Sequence, residues 1–353
     1  MVVLFACNRD SYKNPYVRTL ADGLQQVGCE VICSINEFWH PTREYSIVHI
    51  QWPDLLPLTP WDDCKNIEKR IGEYKKHGTK VVATCHNLLP HYSSVTAVLK
   101  SYEIVYKNAD CIIHLGETSI EMLKTQLPMM NAKHVVIPHH TYDTIYKNVS
   151  KNESRKELGV PQDSKCVMSF GTFRDDEERE IVLSLRKRLP KEYVFLMPGF
   201  FRDAIIRKNV LLGVKNIFKT IKYSCVAKKN NIVMNHRYVP DEVLPYYLAA
   251  ADVVLIQRKK ILNSGNVSLA MLFGLPIVGP NVGNVGGILQ ETHNYVFDVN
   301  NMTNLSDLVE AAMHDNELGK KNKVYADEKL KTRIVAKQHF DLYKSILEDS
   351  NEN

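Results

Sequence analysis

The chain has 353 residues, 44% of them hydrophobic, which is enough for two domains of ordinary size, each with its own core. Its 45 basic and 40 acidic residues leave a net charge of +5, too balanced for a nucleic-acid binder, although a mild basic excess suits an anionic ligand or a membrane surface. Eight cysteines (Cys7, Cys29, Cys33, Cys64, Cys85, Cys111, Cys166, Cys225) lie scattered, with no CxxC pair and no cysteine-histidine cluster at zinc spacing. They read as reduced core thiols of a cytoplasmic protein without a metal site. Val2–Cys7 is too short for a signal peptide's apolar region, and no apolar run reaches the length needed to span a bilayer.

Val2–Ala6 is a continuous apolar run, as in a strand buried on both faces of a parallel sheet. Asn14-Pro15 supplies an N-cap and a first-turn proline, after which Val17, Leu20, Leu24 and Val27 mark one face of a helix ending at Gly28. Glu30–Ser34 completes a βαβ unit. The alternation continues with strands at Ile47–Gln51, Val81–Cys85, Cys111–Leu115 and His134–Pro138 and helices at Ile67–Lys76, Val95–Lys107 and Ser119–Gln126. This pattern predicts a doubly wound parallel sheet, in which ligands sit beyond the carboxyl ends of the strands.

The residues at those ends are Asn8 and Arg9, Gln51 and Trp52, His86 and Asn87, Gly116 and Glu117, and His139 and His140. His86 reads either as a cleft-facing hydrogen-bond donor or proton shuttle, or as a histidine satisfied by loop carbonyls. His139 and His140 read first as loop caps, and Trp52 first as a core or rim aromatic, ahead of a sugar-stacking platform. Cys7-Asn8-Arg9-Asp10-Ser11 carries no GxGxxG, so this half does not read as a dinucleotide cofactor domain.

The polar stretch between His140 and Lys165 marks a domain boundary, dividing the chain into 1–148, 149–325 and a final helical segment 326–353. Strands follow at Cys166–Phe170, Tyr193–Met197, Ile232–Met234 and Val253–Gln257, with helices at Glu178–Arg188 and Asp241–Ala250. Asn263–Pro280 reads as a polar loop, a short helix opened by Ser264-Gly265, a stop at Gly274 and a buried strand begun by Pro276. A helix N-terminus offers unpaired N–H groups and a positive dipole end, so this turn suits a phosphate as well as an ordinary cap. Other phosphate-friendly features join it: Arg174 after the Gly171 turn, Arg258-Lys259-Lys260 after a strand, and Gly286-Gly287 opening the helix to Glu291. Two successive α/β halves predict a two-lobed enzyme with a cleft between the lobes. Arg207–Lys229 contains no acidic residue. It reads first as an amphipathic helix with a solvated basic face, and second as a contact with an anionic membrane, placing the protein peripherally at its inner face. Ala336, Phe340, Tyr343 and Leu347 give the last helix one apolar face.

The order of these motifs resembles the GT-B glycosyltransferases, and within them the retaining family 4-like, group 1 enzymes. Asn231-Ile232-Val233, the run Tyr238–Val254, Ser264-Gly265, Ala270, Gly274, Pro276 and Gly286-Gly287 carry the resemblance. His86-Asn87, Asn108-Ala109-Asp110 and Arg155–Gly159 agree more loosely. It implies two Rossmann-like domains facing across a cleft, a nucleoside-diphosphate sugar donor on the C-terminal lobe and a glycan or lipid-linked acceptor on the N-terminal lobe. It also implies metal-independent chemistry, no cofactor besides the donor, and a last helix returning to the first lobe. Ser264, Gly265 and Asn266 would meet the diphosphate, Gly286 and Gly287 would lie near the donor, Arg174 would be the loop cation, and His86 would approach the transferred sugar. Asn8, Arg9, Trp52 and His139 are then the acceptor-side candidates.

Two departures stand out. The family's paired glutamates fall on Ile261 and Leu269, and its lysine beyond the strand-one glycine is replaced by Asp175-Asp176-Glu177-Glu178. Arg258, Lys259 or Lys260 is therefore expected to supply the compensating charge. The expected activity is retaining sugar transfer in surface polysaccharide or glycoconjugate synthesis. Second readings are another nucleotide-sugar enzyme, such as an inverting transferase or an epimerase, and a catalytically silent sugar-nucleotide or glycan-binding protein.

Overall fold

The computed structural model describes residues 1–10, 14–57, 64–89, 96–128, 130–171, 173–199, 221–234 and 239–349. Arg207, Lys208, Lys215 and Lys219 of the basic segment, and Tyr238 of the family run, lie outside them. The chain divides into two compact units, Met1–Tyr142 with Glu328–Asn353, and Asp143–Asp327.

In the first unit, β1 (Val2–Phe5), β2 (Glu30–Cys33), β3 (Ile47–Ile50), β4 (Lys80–Cys85), β5 (Cys111–His114) and β6 (Lys133–Val136) form a wholly parallel sheet in the order β2-β1-β3-β4-β5-β6. Connecting them are α1 (Tyr16–Gln26), α2 (Ile35–Trp39), α3 (Lys65–Lys76), α4 (Thr96–Asn108) and α5 (Thr118–Gln126). The helical stripe expected after Pro15 is buried: Val17, Leu20 and Leu24 are all in the core, each contributing about 1.5–3 kcal/mol of apolar burial. The start of the helix shifts by one residue from the expectation: Pro15 takes the N-cap position, and Asn14 ahead of it accepts from the Tyr16 N–H at 3.0 Å.

In the second unit, β7 (Cys166–Met168), β8 (Val194–Met197), β9 (Ile232–Met234), β10 (Val253–Leu255), β11 (Ile277–Pro280) and β12 (Tyr295–Phe297) are again parallel, in the order β12-β11-β10-β7-β8-β9. Its helices are α6 (Lys151–Glu157), α7 (Asp176–Arg188), α8 (221–229), α9 (Leu244–Ala250), α10 (Gly265–Leu272), α11 (Gly283–Glu291), α12 (Leu305–His314) and α13 (Asn316–Tyr325). Two expected boundaries move and one strand is new. The acidic residues at 241–242 precede α9, which starts with Pro245 in its first turn. Strand β12 has no counterpart in the sequence-based pattern. Helix α11 opens at Gly283, placing Gly286-Gly287 inside it. Gly283 has φ +56, and a Cβ there would sit 2.5 Å from the Ile261 carbonyl oxygen, so only glycine makes this turn.

One device recurs in both units. Asp110 precedes β5 and accepts from the Val81 N–H of β4 at 2.8 Å. Asp252 precedes β10, accepts from the Cys166 N–H of β7 at 2.7 Å and pairs with the buried Arg155 at 2.9 Å and with Lys151. Each carboxylate satisfies a strand-end donor that would otherwise be orphaned. The last helix, α14 (Thr332–Glu348), packs against α1 within the first unit. The approach is close: a Cβ on Gly23 would lie 2.9 Å from Ala336 Cβ.

Candidate active site

Doubly wound sheets bind ligands where the strand order reverses. In the first sheet that point lies between β1 and β3, and in the second between β7 and β10. Each point gathers residues of a different chemical kind.

At the first, His86 follows β4 and is 9% exposed. Its Nε2 lies 3.0 Å from Gln51 Oε1, and its ring stacks on Trp52 at 4.6 Å between centroids. Tyr16, the first residue of α1, meets the His86 ring edge-on at 4.7 Å, stacks on His140 at 4.7 Å and touches His139 at 4.9 Å. Its hydroxyl is buried and has no protein partner. His139 Nδ1 donates to the His140 carbonyl at 2.7 Å. Burial pushes His86 and His140 well below the ordinary imidazole range and takes His139 down to about 4, so these rings are neutral at pH 7. Of the acceptor-side candidates, Trp52 is a core aromatic behind His86, and His139 belongs to the same ring cluster. The other two stand apart on the surface: Asn8 accepts from the Ile35 N–H at 3.1 Å, and Arg9 pairs with Asp22. Sequence reasoning missed Tyr16, whose one signal was its place directly after the proline that opens α1.

At the second point, Ser169 donates to Gln257 Oε1 at 2.6 Å, joining the ends of β7 and β10. The Gln257 carboxamide nitrogen is buried and finds no protein acceptor. Just beyond, Gly171 has φ +90, and a Cβ on it would lie 3.2 Å from Asn266 Nδ2 and 3.4 Å from Arg258 Nη2. Gly199 packs directly against the Gly171 carbonyl. Asn266, in the first turn of α10, is held by donating to the Phe170 carbonyl at 2.8 Å. Ser264 is the N-cap residue, in extended backbone, and its side chain caps nothing.

Of the acidic run Asp175-Asp176-Glu177-Glu178, the first three residues are exposed and only Glu178 turns inward. Asp175 caps α7 by accepting from the Glu178 N–H at 2.9 Å. Glu178, 6% exposed, accepts from the Arg174 N–H at 2.8 Å and lies 3.9 Å from Arg258 Nε. Of the three strand-end cations, Arg258 is buried beside Gly171 and Asn266. Lys259 instead pairs with Glu177 at 2.8 Å and lines a separate cavity of about 310 Å³ with Glu180, Arg188 and Asn300. The Lys260 carbonyl accepts from Arg174 at 3.3 Å. Ile261 and Leu269 are buried, so the two positions expected for carboxylates hold core side chains. Gly286 abuts Asn281: a Cβ there would be 2.9 Å from the Asn281 carbonyl carbon. Among the described residues, no group of three or more His, Cys, Asp or Glu side chains has metal-holding geometry, and no helix is long and apolar enough to cross a membrane.

Known proteins resemble this chain in sequence and in fold. Over 290 residues the chain is 22% identical to a GDP-mannose:glycolipid 4-beta-D-mannosyltransferase of Xanthomonas campestris pv. campestris, covering 79% of this chain and 74% of that one. A sucrose-phosphate synthase from Thermosynechococcus elongatus superposes with a TM-score of 0.74 at 15% identity, covering 99% of both chains. The Anabaena protein HepE, solved in complex with UDP-glucose, gives a TM-score of 0.69 at 14% identity over 98% of this chain and 100% of its own. The family model for glycosyl transferases group 1 matches residues 150–329, just over half the sequence and nearly all of the second unit. With two Rossmann-like units and that match, the chain belongs to the group 1 glycosyl transferases.

Proposed function

We propose that the protein transfers a sugar from a nucleoside-diphosphate sugar, held by the second unit, to a hydroxyl of a glycan or lipid-linked glycan, with retention of anomeric configuration. The observation that carries the donor assignment is the corner where Gly171, Asn266 and Arg258 meet at the strand-order reversal of the second sheet. Close backbone approach, a helix N-terminus and a buried guanidinium are the parts a diphosphate needs. As the leaving diphosphate gathers charge, Arg258 and the first-turn N–H groups of α10 stabilise it without reorganising. Because apolar side chains fill positions 261 and 269, the donor is gripped through its phosphates and not through a carboxylate on its ribose or sugar.

The first unit contributes His86. Held neutral by burial, it is suited to hydrogen bonding with a sugar hydroxyl and poorly suited to acting as a strong base. An inverting transfer needs such a base, which is why retention is the preferred outcome. The relatives' names carry both anomers, a 4-beta-mannosyltransferase and an N-acetyl-alpha-D-glucosaminyl L-malate synthase of Bacillus anthracis. The glycolipid in the first name supports a lipid-linked acceptor, reached from the membrane's cytoplasmic face.

The reading is tested by thermal unfolding with UDP, GDP, ADP and their sugars, where a ligand at 100 times its Kd adds about 2.7 kcal/mol. One nucleotide series should stabilise the protein, and its sugar should then be transferred to product of the same anomeric configuration. Stabilisation by none of them removes the donor assignment. Product of inverted configuration removes retention alone.

A further inference from the structure

His86 does not stand alone in the first unit; it ends a buried polar chain that begins on the last helix. The Tyr343 hydroxyl of α14 lies 2.6 Å from His49 Nδ1, and the Thr84 hydroxyl lies 2.7 Å from His49 Nε2. Both ring nitrogens of His49 are therefore engaged. Gln51, directly after β3, sits two residues from His49 and on the same side of the chain. Its Nε2 is 3.3 Å from both His49 nitrogens, an approach across the ring and not along one lone pair. An N–H donor suits the electron-rich face of a neutral ring, and a carbonyl oxygen does not. That orientation turns the carboxamide oxygen to His86 Nε2, 3.0 Å away. An amide oxygen only accepts, so His86 Nε2 carries the proton and Nδ1 is the accepting nitrogen.

We propose that Gln51 is a positioning residue that fixes His86 as the neutral Nε2–H tautomer, its own carboxamide being oriented by His49 and, through it, by Tyr343 of the C-terminal helix. A carboxylate at this position would draw His86 toward imidazolium; the uncharged amide orients the ring without charging it. The titratable groups around the chain are Tyr16 from α1, His49 from β3, His139 and His140 beyond β6, and His339 and Tyr343 from α14. None of them is an acid at neutral pH, so among the described residues nothing in this set holds a positive charge on His86.

The inference rests on the proposed role of His86 in glycosyl transfer, and its test separates the two. Nitrogen-15 NMR of histidine-labelled protein, with His86 assigned from a His86→Gln variant, reads the tautomer directly and needs no activity. In the wild type, the Nε2–H form is expected, remaining neutral well below pH 6.5. In Gln51→Glu, the His86 titration midpoint is expected to rise by about one to three pH units, as beside any new opposite charge, with the acid limb of the kcat profile moving by the same amount. An Nδ1–H tautomer in the wild type overturns the proposal without any variant having to fold, as does an unmoved midpoint in a folded Gln51→Glu protein. If tautomer and midpoint behave as expected while the kcat profile stays fixed, Gln51 keeps its role and the use of His86 in turnover is what fails.

Discussion

The carboxyl edges of the two sheets occupy equivalent positions in similar folds, yet they are built from opposite materials. The first edge is a packed set of neutral rings: Tyr16, Trp52, His86, His139 and His140, tied by stacking and by one carboxamide. The second is charged and glycine-built, with Arg258, Glu178 and Arg174 around the Gly171 and Gly199 backbones. On the proposed function, the difference divides the work between the two units. A neutral, ring-lined edge suits uncharged hydroxyl substrates, and an electrostatic one suits a diphosphate.

The largest expected effect comes from acid, acting through the buried histidines of the first unit. Burial lowers the folded-state values of His49, His86 and His140 well below normal, of His139 and His339 to about 4, and of His114 to about 3. Below the unfolded value near 6.5 the unfolded chain binds more protons, so this stability is fully present above that value and drains away as pH falls toward about 4. Each unit of depression is worth about 1.4 kcal/mol per group. Circular dichroism followed from pH 7 to 4 should show the first unit unfolding ahead of the second, with a nucleoside diphosphate protecting the second. Simultaneous loss of both would erase the contrast.

Next comes Gly23→Val, which drives a branched side chain into Ala336 and Thr332 of α14 and should cost about 1–3 kcal/mol. Urea unfolding checks it, and because α14 carries Tyr343, the His86 NMR signal should broaden with it. Asn266→Ala removes the bond to the Phe170 carbonyl, a loss of about 1 kcal/mol; donor affinity should fall by about fivefold as the α10 turn loosens. Smallest is Lys259→Ala. Its pair with Glu177 is half exposed and worth at most about 1 kcal/mol, so thermal unfolding in raised salt should show the wild type and variant converging.

Much of the fold was legible. Continuous apolar runs such as Val2–Ala6 and Val253–Ile256, set between turn signals and helices, read as strands buried on both faces, and Val17, Leu20 and Leu24 read as one face of a helix. The doubly wound class followed from their alternation. What stayed hidden depends on strand order, which no local pattern records. The first reversal point exists because β3 lies beside β1, and the second, with the meeting of Gly171, Asn266 and Arg258, because β10 lies beside β7. Strand β12 escaped because Tyr295–Phe297 is too short to show a period. In the same way, no local pattern in Asp175-Asp176-Glu177-Glu178 marks Glu178 as the one buried against Arg258, where the helix register at Asp175 turns it inward. Tyr16 gave only the faint signal of following Pro15, since a tyrosine in a first helical turn is ordinary until four other rings close around it.

The central claim is that the second unit's edge, through Arg258, holds the donor diphosphate. It is tested most directly by calorimetric titration of the stabilising nucleoside diphosphate into wild type and Arg258→Ala, with circular dichroism confirming that both are folded. Loss of one charge-assisted bond predicts about 2 kcal/mol weaker binding, roughly thirtyfold. Equal affinity for the two proteins would contradict the account.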